Sequence, residues 1–109
     1  MVLQEAGIER EGRLHKVNLL QMDNAILAFC YEGSMKLGTL AVSTPSLTEG
    51  VVGTSSVLLG GKYLIAARAL AERSAAIFKK MSLVSLNTTL SEGEALRVYS
   101  ELLDKVKSS

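Results

Sequence analysis

The most apolar segment of the chain runs from Ala25 to Tyr31 and contains no charged residue. Side chains of a strand alternate between the two faces of a sheet, so Ile26, Ala28 and Cys30 would point to one face. The set that would point to the other face is also largely apolar: Ala25, Leu27, Phe29 and Tyr31. We therefore predict a central strand that needs a cover on both faces.

Alternating segments on either side of this strand predict its neighbours. Residues 7–12 are charged and bracketed by glycines, which is typical of an exposed edge strand or a turn. Residues 13–22 alternate in part and predict a half-exposed strand, which Asp23 and Asn24 join to the central strand in a hairpin. Residues 37–43 predict the next strand, so that these three strands would form an antiparallel meander.

Later in the chain, short strands are predicted at residues 57–59 and 81–87, and two segments have the 3.6-residue period of a helix. The first helix, over residues 62–80, has a stripe formed by Leu64, Ala67, Leu70, Ala71, Ser74 and Phe78. The second begins at a capping box, Ser91 to Glu94, and its apolar face consists of Ala95, Leu96, Val98, Tyr99, Leu102, Leu103 and Val106. Since each helix has one apolar stripe, both are expected on the same face of the sheet.

The predicted order βββββαβα indicates an α+β fold with a mainly antiparallel sheet of about six strands and two helices packed on one face. The chain has 109 residues and is expected to form a single domain, residues 1–109. Residues 46–56 have no apolar period and one charge, Glu49, and predict a flexible loop.

The second face of the sheet would remain uncovered, because no third helix is predicted. Either the sheet closes on itself as a sandwich, or a second chain packs on this face through a two-fold interface. We favour a dimer, since large exposed apolar patches are rare on monomers. The expected interface residues are Leu27, Phe29 and Tyr31.

Composition excludes several classes of partner. With 12 basic and 11 acidic residues and a formal net charge of +1, the chain has no electrostatic footprint for nucleic acid or an anionic membrane. The single cysteine, Cys30, cannot form an internal disulfide and favours a reducing compartment. No apolar run approaches the roughly 18 residues of a spanning helix, and the N-terminus has no leader pattern. A soluble cytoplasmic protein is therefore expected.

The residues that could carry chemistry are few. His15 is the only histidine and is interpreted as a surface residue on a half-exposed strand, without partners for a metal site. Cys30 lies among apolar residues, which favours an inert structural thiol over a nucleophile. Gly60, Gly61 and Lys62 precede a helix but lack the pattern of a phosphate loop, so they indicate a helix entry. We expect no catalytic residue, metal or cofactor.

Several segments together resemble the proteasome assembly chaperone 3 family. They are the strand at residues 38–40, the serine- and threonine-rich loop, residues 57–60 before a helix with Leu70 and Ala71, the strand at residues 81–87 and the closing amphipathic helix. The Leu-Leu-Gly step before the first helix is shared with the related chaperone 4 family. The resemblance covers roughly residues 13 to 106 and lies in the order and spacing of the elements.

This resemblance implies a small cytosolic chaperone that binds proteasome alpha-ring subunits during assembly of the 20S core and does no covalent chemistry. It implies a homodimer, or a heterodimer with a paralogous chaperone. In the family, the loop before the short strand can contact a ring subunit, and the corresponding residues here include Ser46, Leu47, Thr48 and Glu49. Two alternatives stay open: a structural subunit of another complex, and a small enzyme with His15, Cys30 or Lys62 near a carboxylate in a cleft.

Overall fold

The computed structural model of the chain describes residues 2–46 and 54–108. Within these residues, six strands form one sheet and two helices pack against it, in the predicted order βββββαβα. The strands are β1 (Val2–Arg10), β2 (Arg13–Gln21), β3 (Ala25–Glu32), β4 (Thr39–Ser43), β5 (Ser55–Leu59) and β6 (Met81–Asn87), and the helices are α1 (Leu64–Phe78) and α2 (Glu92–Ser108). The predicted α+β class is confirmed.

The strands are arranged in the spatial order β1-β2-β3-β6-β4-β5. The predicted hairpin of β2 and β3 is confirmed, but the meander that would place β4 beside β3 is wrong. β6 lies between them, parallel to β3 and antiparallel to β4. α1 connects β5 to β6 across β4, and such a crossover makes β5 and β6 parallel to each other, since both are antiparallel to β4. The alternation within a strand does not indicate which neighbour it pairs with.

The edge strand β1 is longer than predicted. It pairs with β2 over nine residues, from Val2 opposite Gln21 to Arg10 opposite Arg13. Glu11 and Gly12 form the connecting turn, with φ angles of 53° and 76°. The prediction assigned residues 7–12 to the edge or turn. An edge strand with polar residues on its exposed face shows only weak alternation, so the pattern does not predict a strand before residue 7.

The helix bounds are set by residues in the left-handed conformation. Tyr63, before α1, and Lys79, after it, have φ angles of 59° and 57°, so α1 is shorter than the predicted segment 62–80. At the start of α2 the predicted cap is confirmed, because the Glu94 N–H donates to Ser91 Oγ at 3.3 Å. The Glu94 carboxylate also contacts the Ser91 hydroxyl, at 3.4 Å.

The core lies between one face of the sheet and the two helices, as predicted. α1 packs on β4, β5 and β6, whereas α2 packs on β1 and β2, and the helices also contact each other. The sheet contributes alternate residues of the central strands, Val17, Leu19, Ile26, Ala28, Cys30, Val84 and Leu86, all at most 1% exposed. The two helices of the same chain therefore cover this face of the sheet.

One glycine is required where β4 begins. A Cβ added to Gly38 would lie 2.0 Å from the carbonyl oxygen of Leu86 in β6. The Gly38 N–H donates to Ser85 Oγ at 2.9 Å. The close approach of the two backbones thus excludes any side chain at residue 38.

Candidate functional site

The candidate functional site is the sheet face opposite the helices, which we call the open face. None of the elements in residues 2–46 and 54–108 packs over it, because both helices contact the other face. A row of aliphatic side chains crosses five strands here, since each residue is opposite the next in the strand register. From β1 to β4 the row consists of Leu3, Leu20, Leu27, Leu83 and Val42.

Further apolar side chains widen this row. Phe29 and Leu40 lie two residues along their strands from Leu27 and Val42, and Met81 lies two residues from Leu83. Phe29 and Leu40 are half-buried, whereas Met81 and Leu3 are 39% and 74% exposed. The open face therefore presents a continuous apolar surface to solvent.

The three predicted interface residues, Leu27, Phe29 and Tyr31, do lie together on the open face. Leu27 and Phe29 are half-buried, but Tyr31 is only 6% exposed. The Tyr31 hydroxyl donates to the side-chain oxygen of Asn18 at 2.8 Å. Of these three residues, Leu27 and Phe29 thus have apolar side-chain surface that a second chain could cover. Tyr31 is nearly buried, and its hydroxyl is held by Asn18. That a second chain contacts these residues stays a prediction.

A polar network borders the apolar row, and the sequence pattern did not predict it. The Asn18 side-chain amide donates to Glu5 Oε2 at 3.2 Å, and Glu5 Oε1 pairs with Lys16 Nζ at 3.2 Å. Together with the Tyr31–Asn18 hydrogen bond, these contacts link β1, β2 and β3 across the open face. The alternation of β2 places residues 16 and 18 on this face, but their partners depend on the register with β1 and β3.

A second polar cluster lies where β3 ends, around the carboxylate of Glu32. This carboxylate accepts hydrogen bonds from the hydroxyl of Thr88 at 2.8 Å and from the N–H of Thr89 at 3.0 Å, and Arg13 lies 3.3 Å away. Desolvation raises the pKa of Glu32, but the hydrogen bonds from Thr89 and Thr88 and the nearby His15 lower it to about 2. The cluster ties the connection between β6 and α2 to β2 and β3.

The prediction that His15 is a surface residue is wrong. Its side chain is 1% exposed, and its Nδ1 lies 2.9 Å from the hydroxyl of Tyr99 in α2. Desolvation lowers its pKa, against the opposing effect of Glu32 at 3.9 Å. The physical reason is register: residue 15 is in phase with Val17 and Leu19, on the face that α2 covers. That phase was visible in the sequence, where residues 15, 17 and 19 alternate with polar positions.

The geometry gives little support to an enzyme that uses His15 or Cys30. Cys30 is fully buried on the helix-covered face, and burial raises the pKa of its thiol to about 12. A thiolate nucleophile needs the opposite shift and access to substrate. His15 does lie near a carboxylate, that of Glu32, but both His15 and Cys30 are inside the packed core.

Lys62 is the third residue of the enzyme alternative. It lies in a surface groove between the start of α1 and the residues before α2. Other residues that line this groove include Tyr63, Leu64, Ile65 and Leu90. The α1 amides that could hold an anion here already have a partner. Glu92 Oε1 accepts the N–H groups of Ile65 and Ala66, each at 2.9 Å. The helix entry is thus closed by a carboxylate of the chain itself.

The predicted partner-binding loop is only partly described. Ser46 is half-buried, whereas Leu47, Thr48 and Glu49 lie outside the described residues. On either side of them, the Thr44 N–H donates to the Thr54 carbonyl at 3.1 Å and Ser43 Oγ donates to the same oxygen at 2.9 Å. These two hydrogen bonds hold the ends of the segment together beside β4 and β5.

In residues 2–46 and 54–108, no three His, Cys, Asp or Glu residues are grouped so that they could hold a metal ion. Neither of the two helices found there has the length and hydrophobicity needed to cross a membrane.

Comparison with known proteins identifies the fold. No protein-family model and no curated protein sequence matches this chain. Among solved structures, it is similar to a chain in the crystal structure of a chaperone complex for yeast 20S proteasome assembly. The similarity covers 98% of this chain and 99% of that chain, with a TM-score of 0.68 and 12% sequence identity. At this identity the similarity shows a common fold.

Proposed function

We propose that this protein is a non-catalytic, dimeric assembly chaperone that binds proteasome alpha-ring subunits during assembly of the 20S core. The observation that carries the proposal is the open face, where an aliphatic row from Leu3 to Val42 has no cover from the described elements. A surface of this kind is typical of a protein that acts by binding other chains.

The proposed dimer forms on the open face. Stacked sheets pack face to face with interdigitating side chains, and a two-fold axis places the same row on both sides of the contact. Leu27 and Phe29 would be central in such an interface because they lie on β3, the third of six strands. The second chain is either another copy or a paralogous chaperone.

Two further observations support the assembly role. The fold is shared, over nearly the full length of both chains, with a component of a yeast 20S proteasome assembly chaperone complex. The order and spacing of the elements also resemble the proteasome assembly chaperone 3 family. By this resemblance the loop with Ser46, Leu47, Thr48 and Glu49 contacts a ring subunit, and the protein acts in the cytoplasm.

The dimer is tested with a charge on the open face. Leu27→Asp should convert a species of about twice 11.7 kDa, measured by light scattering, into a monomer or an aggregate. The matched control is Leu64→Asp, because Leu64 is 45% exposed on α1, on the opposite side of the sheet. The control should remain dimeric. A monomeric unmodified protein would remove the main physical support for the proposal.

The partner is tested by native mass spectrometry of the protein mixed with individual alpha subunits. We expect a defined complex with at least one of them. Replacing residues 46–54 by a glycine-serine linker should weaken this complex and leave the melting temperature nearly unchanged. If the protein dimerises but binds no alpha subunit, the structural-subunit alternative replaces the chaperone proposal.

A further inference from the structure

The open face is divided into two chemically different areas. The aliphatic row crosses the sheet from Leu3 in β1 to Val42 in β4, and its apolar neighbours lie on β3, β6 and β4. The polar network of Tyr31, Asn18, Glu5 and Lys16 lies beside this row, on β1, β2 and the end of β3. Polar Asn18 of β2 is directly opposite apolar Phe29 of β3 in the register. At this position the boundary between the polar and the apolar area therefore passes between β2 and β3.

We infer that this polar network determines the orientation in which a second copy of the chain packs on the open face. The inference rests on the proposed dimer and deepens it, since it assigns the residues that select one arrangement. An apolar row alone specifies little, because aliphatic side chains can be covered equally well at several angles and registers. A hydrogen-bonded polar group in an interface excludes arrangements that would strip it of its partners.

The degree of burial within the network agrees with such a role. Tyr31 is 6% exposed and Asn18 is half-buried, while the side chains of Lys16 and Glu5 are 29% and 51% exposed. The network therefore runs from a buried end beside the apolar row to a solvated end at the β1 edge. A second copy that covers the apolar row and leaves Glu5 and Lys16 at the solvated rim of the contact satisfies every group, whereas one that buries both side chains desolvates their ion pair.

A second copy is the occupant that best fits the charges. Glu5 and Lys16 place opposite charges side by side on one face. A two-fold-related copy brings the same two charges in reverse order, so that each carboxylate can face an ammonium group of the other chain. A strongly acidic or strongly basic partner would meet a like charge at one of the two positions.

The experiment measures distances between the two copies by double electron–electron resonance. A spin label at Ala76→Cys lies on an exposed position of α1, and the native Cys30 is buried and does not compete for the label. The variant Asn18→Leu with Tyr31→Phe removes both partners of the Tyr31–Asn18 hydrogen bond, a change that a fold tolerates better than the loss of one partner. Glu5 also loses its hydrogen bond from Asn18 but keeps its ion pair with Lys16 and its exposure to water. The control is Arg97→Leu, which adds an exposed apolar side chain on α2.

We expect one narrow distance distribution for the labelled parent and for the Arg97→Leu control, and two or more distances for a still dimeric Asn18→Leu/Tyr31→Phe variant. A second variant, Glu5→Gln with Lys16→Gln, alters only solvent-accessible groups. It should also broaden the distance distribution relative to that of the parent. If both double variants remain dimeric and keep the parent's single distance, this inference is overturned and the proposed dimer is left intact. A monomeric parent would overturn both.

Discussion

The carboxylate oxygen Oε1 of Glu92, in the first turn of α2, accepts a hydrogen bond from the backbone N–H of Ala66, in the first turn of α1. The same oxygen accepts the N–H of Ile65. Tyr63, the residue before α1, makes no side-chain hydrogen bond to these amides. One helix therefore caps the other through a single carboxylate.

Glu92→Ala should lower the free energy of unfolding by about 1 to 2 kcal/mol, because two amides lose their cap and the α1 dipole loses a neighbouring negative charge. Glu92→Gln keeps an acceptor oxygen and should lose less. The control Glu101→Ala, exposed on α2, should change stability by less than about 0.5 kcal/mol. Urea denaturation measures all three, and an equal loss for Glu92→Ala and Glu101→Ala would contradict the capping role.

Truncation of the α2 apolar face should be costly. Leu103 is fully buried, and Leu103→Ala should destabilise the protein by about 2 to 5 kcal/mol through lost burial and a residual cavity. Leu64→Ala, on a side chain that is 45% exposed, is the matched control and should cost much less. Thermal unfolding followed by circular dichroism compares them. If both variants melt like the parent, the packing of α2 on the sheet is not as described.

Ser74→Ala should stabilise the protein. Ser74 is buried in α1, and its hydroxyl has no hydrogen-bond partner among residues 2–46 and 54–108. The substitution removes the cost of an unsatisfied buried group and replaces serine by a better helix former, which together should add about 1 kcal/mol. Ser100→Ala, at a half-buried position of α2, serves for comparison and should have a smaller effect. A lower melting temperature for Ser74→Ala would show that the hydroxyl is satisfied in solution.

Stability should fall as the solution is acidified. The pKa of Glu32 is lowered from 4.5 to about 2 in the folded protein, so its contribution is complete above pH 4.5 and is lost as the pH falls toward 2. The lowered pKa of His15 acts with the same sign, starting below its ordinary value of 6.5.

Glu32→Gln is the variant that isolates this effect. Its stability at neutral pH should be lower than that of the parent, and the difference should shrink as the pH falls toward 2. Urea unfolding at a series of pH values gives both curves. Glu101→Gln, at an exposed glutamate in the middle of α2, is the control and should change stability by less than about 0.5 kcal/mol. Parallel curves for Glu32→Gln and the parent would mean that the carboxylate is not held ionised by its hydrogen bonds.

The hydrophobic pattern alone determined the class of fold, the order of the elements and the buried face of α2. These depend on local periodicity: period two on β3 placed Ile26, Ala28 and Cys30 on one face, and period 3.6 on α2 selected the side chains that are buried. On α1 the pattern predicted the buried Ala67, Leu70, Ala71 and Ser74 but also Leu64, which is 45% exposed because the helix begins there, at the edge of the core. The uncovered second face also followed from the sequence, because Leu27 and Phe29 oppose that set and no third helix was predicted.

What only the tertiary structure decided is how distant segments pair. The insertion of β6 between β3 and β4, the hydrogen bond of His15 to Tyr99, the Glu92 cap on α1 and the network of Asn18 with Glu5 and Tyr31 all join residues far apart in the chain. A local pattern gives the face on which a side chain lies, but its partner depends on strand order and register. These are set by the packing of the whole chain, since many pairings satisfy the same alternation.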